Sequence, residues 1–166
     1  MEKDLANKDA IKKLKSLAED IRFCMYTIYK DGRIDSRPMT TQEIDEDGNV
    51  WFFTSRNTDI GDSSSQGENV TLIYADPANN SYLSISGTSS LVESQEKKDE
   101  LWNPMSKAWF PEGKEDPNLV VLKVTTEEAA YWDSTSSKMV VFFSMLKAVL
   151  TGTTPDGGDH GKLDLA

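Results

Sequence analysis

Arg37, Pro38 and Met39, within the stretch GRIDSRPMTTQEI, are the first residues whose types suggest chemistry. An arginine presents its donors in a rigid fork that suits a phosphate or a carboxylate. The proline beside it has no backbone N–H, so one ladder position is open and nearby backbone groups can turn to a ligand. On this reading the strand is interrupted at Pro38. Met39 also has a plainer use, as a flexible core filler. An arginine on a strand is more often a solvent-facing charge or an ion-pair partner, so SRPM alone is a weak signal.

A second segment, FFTSRNTD, carries Phe53, Thr54, Ser55 and Arg56. Two hydroxyls end an apolar run and a guanidinium follows. Asn57 or Thr58 can cap a helical turn there, whose unpaired N–H groups suit phosphate. An ordinary strand-to-helix connection explains this fragment equally well. Taken together, two separated segments with an arginine beside polar donors could hold a phosphate monoester, provided the fold brings them close.

The third feature is aromatic. Four tryptophans stand at positions 51, 102, 109 and 132. Most such rings belong to a core. In WNPMSKAWFPEG, however, prolines and a glycine bracket two of them, which favours a loop position for at least one of these two rings. A tryptophan on a loop suits a flat heterocycle or a subunit interface.

The composition narrows the classes. The chain has 166 residues, with 28 acidic against 18 basic side chains and a formal charge of -10. That balance argues against nucleic acid, which needs concentrated Lys and Arg, while a local site for a small anion remains compatible with it. Cys24 is the one cysteine and His160 the one histidine. A disulfide framework and a histidine metal centre are therefore excluded, and a reducing compartment fits. There is no apolar run of signal-peptide or membrane-span length, so the expectation is a cytoplasmic protein without membrane contact.

These residues must be positioned by strands. Residues 9–20 have helical spacing, and IRFCMYTIY, the stretch 33–44, VWFFTS, VTLIYA, YLSISGTSSLV (bent at Gly87) and LVVLKVT read as strands. AAYWDS and KMVVFF add candidate strands or strand ends. Turns at Lys30-Asp31-Gly32 and at 46–49 make the early strands an antiparallel meander. IGDSSSQGEN supports at most a short helix, residues 93–108 read as one helix ending before Pro104 and a second after it, and SMLKAVLTG reads as a terminal helix. The expectation is a single domain over 1–166, mainly β with peripheral helices, whose residues 153–166 form a C-terminal tail. A closed or curled barrel removes exposed edges economically, whereas a doubly wound fold needs a helix after nearly every strand.

The succession SRPM, WFFTS, IYADPANNSYLSISGTSSLV, DELWNPMSKAWFPEGKEDPNLVVLKV, AAYWDS and the closing HGKLDL resembles the general stress protein 26 group of the pyridoxamine 5'-phosphate oxidase-like family. The resemblance covers about residues 8–166. It implies a six-stranded FMN-binding split barrel of antiparallel Greek-key type, dimeric, with FMN in grooves at the subunit interface. It implies that Arg37, Pro38 and Met39 line the flavin, with Phe53, Thr54, Ser55 and Arg56 as the adjoining wall. Trp109 and Phe110 would approach from the partner subunit. The family's phosphate-receiving lysine falls on Ile60, between Asp59 and Asp62, which weakens dianion binding unless Arg37 and Arg56 compensate. The implied function is a general stress flavoprotein, an FMN-dependent oxidoreductase acting on a small molecule. The alternatives are a dimer that binds flavin or a related planar cofactor without turnover, and a structural dimer with a degenerate groove. No residue stands out as a catalytic acid or base; Asp31, Asp35, Asp76 and Asp133 read as ordinary surface carboxylates.

Overall fold

Asp31 and Gly32 both take left-handed backbone, with φ of 52° and 76°, between the paired residues Lys30 and Arg33. Two residues at positive φ make the tight hairpin turn whose twist matches that of the strands it joins. No atom crowds Gly32, so glycine serves backbone freedom there. This hairpin starts the sheet that positions everything else.

The computed structural model describes residues 5–58, 67–133 and 159–165. Its elements are β1 (Leu5–Ala6), α1 (Asn7–Ile21), β2 (Phe23–Lys30), β3 (Arg33–Thr40), β4 (Glu43–Ile44), β5 (Val50–Ser55), β6 (Glu68–Asp76), β7 (Ser81–Val92), α2 (Gln95–Leu101), α3 (Ser106–Trp109), β8 (Leu119–Asp133) and β9 (Asp159–Asp164). Antiparallel pairing runs β3-β2-β6-β7-β8-β5, and these strands form the barrel wall. β9 continues along the far half of β8, and β1 pairs with β9 in parallel. Among the described residues no ladder joins β3 to β5. The barrel is split there.

Alternation explains the wall. Cys24, Tyr26 and Ile28 of β2, Val70, Leu72 and Tyr74 of β6, and Leu83 and Ile85 of β7 all point into one core. α1 packs against this core through Ala10, Leu14, Leu17 and Ala18, the apolar stripe of an amphipathic helix. β5 is buried on both faces. Val50 and Phe52 enter the main core, whereas Trp51 and Phe53 join Leu101, Leu119 and Val121 in a second cluster beneath α2.

β8 changes partners along its length, and a bulge makes this possible. Its register with β7 shifts between Ser86 and Gly87, where Ser86 faces Glu128 but Gly87 faces Thr126. The extra residue reverses parity, so Leu122 and Val124 point inward before the bulge and Ala129 and Tyr131 after it. A Cβ on Gly87 would lie 2.1 Å from the Thr125 carbonyl oxygen. Only glycine lets the two backbones approach this closely. The bend carries β8 from β5 (Leu119–Val124) to β9 (Ala129–Asp133).

Several expectations change. The strand expected over 33–44 ends at Thr40 and resumes as β4. The meander stops after β3, because β5 crosses to β8. AAYWD is a strand end, the second of the two readings open to it, as the last part of β8, and residues 159–164 of the expected tail form β9. KMVVFF, SMLKAVLTG and most of IGDSSSQGEN lie outside the described residues. None of the described helices is long and apolar enough to cross a membrane.

Candidate ligand groove at the split

The open side of β3 faces the open side of β5, and a groove of about 280 Å³ follows this slit. One wall is Arg37, Pro38, Met39 and Thr40 of β3, followed by Gln42. The other is Phe53, Thr54 and Ser55 of β5, followed by Thr58. Ser106, Trp109 and Phe110 close it from α3 and its C-terminal end.

Local structure fixes each side chain. Arg37 stands opposite Tyr26 in the β2–β3 register, so it shares the inward side of the sheet with that buried ring. At an interior position of the barrel such an arginine would be costly; at the slit its head meets open space. Its ion pair with Asp35, at 3.7 Å, is too long for a hydrogen bond, so the fork stays available. Pro38 does not interrupt the strand. Pairing with β2 runs in register from Phe23–Thr40 to Lys30–Arg33, and proline is tolerated because β3 is an edge. The expected break lies instead beyond Thr40. There Thr41 donates its N–H to the Arg22 carbonyl at 2.9 Å and exchanges a 2.6 Å bond with the Tyr74 hydroxyl.

On the facing wall, Thr58 closes a turn by donating its N–H and its hydroxyl to the Ser55 carbonyl, at 3.2 and 2.8 Å. The Thr54 and Thr58 hydroxyls lie 3.3 Å apart. Phe53 meets Phe110 edge-on at 6.2 Å and Trp102 at 6.0 Å, which anchors the aromatic end. Trp109 is 74% exposed.

Eight of the residues expected at the site therefore converge: Arg37, Pro38 and Met39, Phe53, Thr54 and Ser55, and Trp109 and Phe110. Two differ. Arg56 does not line the groove; its Nη2 donates to Glu93 at 2.7 Å on the exposed surface, and its N–H to Asn118 at 2.8 Å. Ile60 lies outside the described residues. Trp109 and Phe110, expected from a partner, line the groove of their own chain. Sequence reasoning missed Thr40, Gln42 and Ser106 and read Thr58 only as a cap. For Ser106 a signal existed: a small polar residue between two tryptophans in a proline-bracketed loop.

The electrostatics of the groove are simple. Among its described lining residues, Arg37 is the titratable side chain. Cys24, in the nearby core, is no nucleophile: burial pushes its thiol up to about 12, against a smaller opposing effect of the Tyr74 hydrogen bond. Burial likewise pushes the Tyr74 phenol well above its ordinary range, and the neighbouring Cys24 adds to the shift. The groove can thus receive a planar group between aromatic and apolar walls and hold a polar or anionic extension among hydroxyls and one guanidinium.

Comparison with known proteins gives this geometry a lineage. The profile of the family described as pyridoxamine 5'-phosphate oxidase like matches residues 9–156. A crystal structure of a candidate general stress protein 26 from Jannaschia sp. CCS1 superposes with a TM-score of 0.77 at 27% identity, covering 94% of this chain and 98% of that one. The general stress FMN/FAD binding protein of Xanthomonas citri is 32% identical with a TM-score of 0.65, over 77% of this chain and 90% of that one. General stress protein 26 of Bacillus subtilis (strain 168) is 30% identical over 101 residues, 58% of this chain and 69% of that protein. With the family profile matching residues 9–156 and these relatives sharing sequence and fold with it, the chain belongs to the pyridoxamine 5'-phosphate oxidase-like family, in its general stress protein 26 group.

Proposed function

We propose that the slit between β3 and β5 holds FMN and that the protein acts as a flavin-dependent oxidoreductase on a small molecule. The observation that carries this reading is the convergence of Arg37-Pro38-Met39 and Phe53-Thr54-Ser55 on one groove, from strands that do not pair. The fit is chemical as well as spatial. The guanidinium of Arg37 suits the phosphate, the hydroxyl groups of Thr54, Ser55 and Thr58 suit the ribityl chain, and Phe53, Phe110 and Trp109 suit the ring. When bound, FMN supplies the electron transfer. The chain's own residues bind the ring, orient it and keep water from the face that they cover.

The outer surface supports a homodimer. Met25 and Ile73 pair across β2 and β6, Tyr82 and Trp132 across β7 and β8, and all are exposed on the outward side, as is Phe23. A contiguous apolar sheet face of this kind calls for a cover. With Trp109 also exposed, a second copy laid on this face would bring the two grooves to the interface, and sedimentation should report twice the chain mass.

The purified protein should show flavin absorbance in the visible range, or acquire it with one FMN per chain on reconstitution. A chain that takes up no flavin at micromolar FMN sinks the proposal. A second reading, a flavin holder without turnover, is favoured by the lack of any acid or base among the described lining residues. Reduction of the bound flavin by a nicotinamide donor, or its failure, separates the two.

A further inference from the structure

The two walls of the slit begin to pair and then stop. The Gln42 N–H donates to the Trp51 carbonyl at 2.9 Å, beside the β4–β5 rungs Glu43–Trp51 and Ile44–Val50. Two residues further along each wall Thr40 would face Phe53, and after it Pro38 would face Ser55. Among the described residues no ladder joins these strands.

The backbone groups of both walls point the right way for such a ladder. Lys30 and Arg33 flank a two-residue turn and are a hydrogen-bonded pair, so Asp35, Arg37 and Met39 spend their N–H and carbonyl groups on β2. The Thr41 N–H continues this series onto the Arg22 carbonyl. Thr40, Pro38 and Ser36 therefore turn their backbone groups away from β2, toward the open edge. On β5 the Arg56 N–H bonds the Asn118 carbonyl at 2.8 Å. The same alternation assigns Thr54 and Phe52 to β8 and leaves Phe53 and Ser55 facing the slit.

What halts the ladder is the chemistry at its next two rungs. The Ser55 carbonyl accepts the N–H and the hydroxyl of Thr58, at 3.2 and 2.8 Å, which fills both its lone pairs. The residue that would donate to that carbonyl is Pro38, which has no N–H. One rung nearer β4, the Thr40 carbonyl accepts Gln42 Nε2 at 3.3 Å, so the Phe53 N–H faces an acceptor already engaged. Asn103 Nδ2 donates to Gln42 Oε1 at 3.0 Å and keeps the amide in that pose.

We propose that Pro38 is a positioning residue that, together with Thr58 on the Ser55 carbonyl, stops the β3–β5 ladder and holds the slit open as a binding groove. The missing donor and the filled acceptor act as one device. Replacing Pro38 alone gives a donor without an acceptor, and removing the Thr58 hydroxyl alone gives an acceptor without a donor.

The test is a cycle of Pro38→Ala, Thr58→Val and the double variant in the isotope-labelled full chain, read by amide exchange in NMR and by FMN titration. In the ligand-free wild type the N–H groups of Phe53 and Ser55 should exchange much faster than those of Phe52 and Thr54. In the double variant the new N–H at position 38 should exchange roughly tenfold more slowly than that of Ser36, an open-edge amide of the same strand, and that of Ser55 should slow with it. A closed rung lowers the fraction of chains able to take a ligand, so the double variant should lose roughly three- to tenfold more FMN affinity than the two single losses multiplied together. Slowly exchanging Phe53 and Ser55 amides in the wild type would overturn the proposal, and that measurement needs no variant to fold. An amide at position 38 as labile as that of Ser36 in the double variant would overturn it too, as would affinity losses that simply multiply. Only the affinity readout rests on the reading of the groove as a flavin site. If the wild type takes up no FMN, that reading falls and amide exchange still decides the role of Pro38.

Discussion

The two sides of β3 carry the same residues and do different work. Toward β2 the strand is paired in full register over its whole length, across Pro38 and all. Toward β5 it makes no ladder among the described residues, and the groove lies in that gap. The far wall of the barrel, β6-β7-β8, is sealed throughout, and where its registry shifts the backbones close up around Gly87. Pairing is continuous on one side of the barrel, and its absence leaves a groove on the other. Substitutions on the sealed wall should cost stability, and substitutions at the slit should cost binding.

The sharpest break of that contrast is Gly87→Ala. Its new Cβ would meet backbone atoms, which cannot turn aside as a side chain can. We expect a loss of about 3–4 kcal/mol in urea unfolding, at the severe end for a single substitution. The protein that remains folded should bind FMN with wild-type affinity. Reduced affinity at full stability would mean that the bulge shapes the groove and that the division between walls is false.

Arg37→Ala should behave in the opposite way. FMN affinity should fall by roughly 1.5–3 kcal/mol, the range for a charge-assisted hydrogen bond. Stability should change by less than about 0.5 kcal/mol, because the Asp35 pair is long and partly exposed. Riboflavin, without the phosphate, should be much less affected. Equal losses for both ligands in parallel fluorescence titrations would place the guanidinium at the ring.

These two positions also show what could be read from the sequence. Gly87 stands out in YLSISGTSSLV because a glycine inside a strand marks a bend, and FCMYTIYK and VTLIYA read as strands from their β-branched and aromatic residues. The order of pairing was less legible. VWFFTS pairs with β8 across a long sequence separation, a choice made by its two buried faces and not by a local turn. At the site, SRPM and FFTS were visible as types, but Arg56 looked as suitable as Arg37. Only the register separates them, since Arg37 sits opposite Tyr26 on the inward side and Arg56 lies past the end of β5 beside Glu93. Gln42 was silent because its place at the groove comes from its bond to Asn103, far from it in the chain.

A hinge between the two regimes lies at the β4–β5 turn. Burial alone would raise the Asp45 carboxyl, but hydrogen bonds from Trp51 Nε1, the Asn49 amide and backbone, and the Asp47 backbone hold it below its usual range. A carboxyl lowered in the folded state contributes stability above its unfolded pKa. That contribution is lost as pH falls through the lower folded value. The melting temperature should therefore decline on acidification below the ordinary Asp range, and Asp45→Asn should flatten that part of the profile. At neutral pH the substitution should cost about 1 kcal/mol, because an amide can accept some of these bonds but must turn its NH2 toward another donor. FMN affinity should drop only if this turn also sets Gln42, whose N–H bonds to Trp51.

The smallest effect belongs to Arg56→Ala, and it tests the comparison most directly. Arg56 and Arg37 both follow or accompany strand residues that line the groove, and the sequence offers both to a phosphate. The pair with Glu93 is short, at 2.7 Å, yet both side chains are well exposed, 45% and 62%. Solvent screens such a pair, so its removal should change stability by about 0–1 kcal/mol. Its guanidinium points to β7's end and away from the slit, so FMN affinity at moderate salt should be unchanged within error. A loss matching that of Arg37→Ala would mean that Arg56 abandons Glu93 when ligand arrives. In that case Glu93→Gln should tighten FMN binding by freeing the same guanidinium, and raising the salt should shrink the gain.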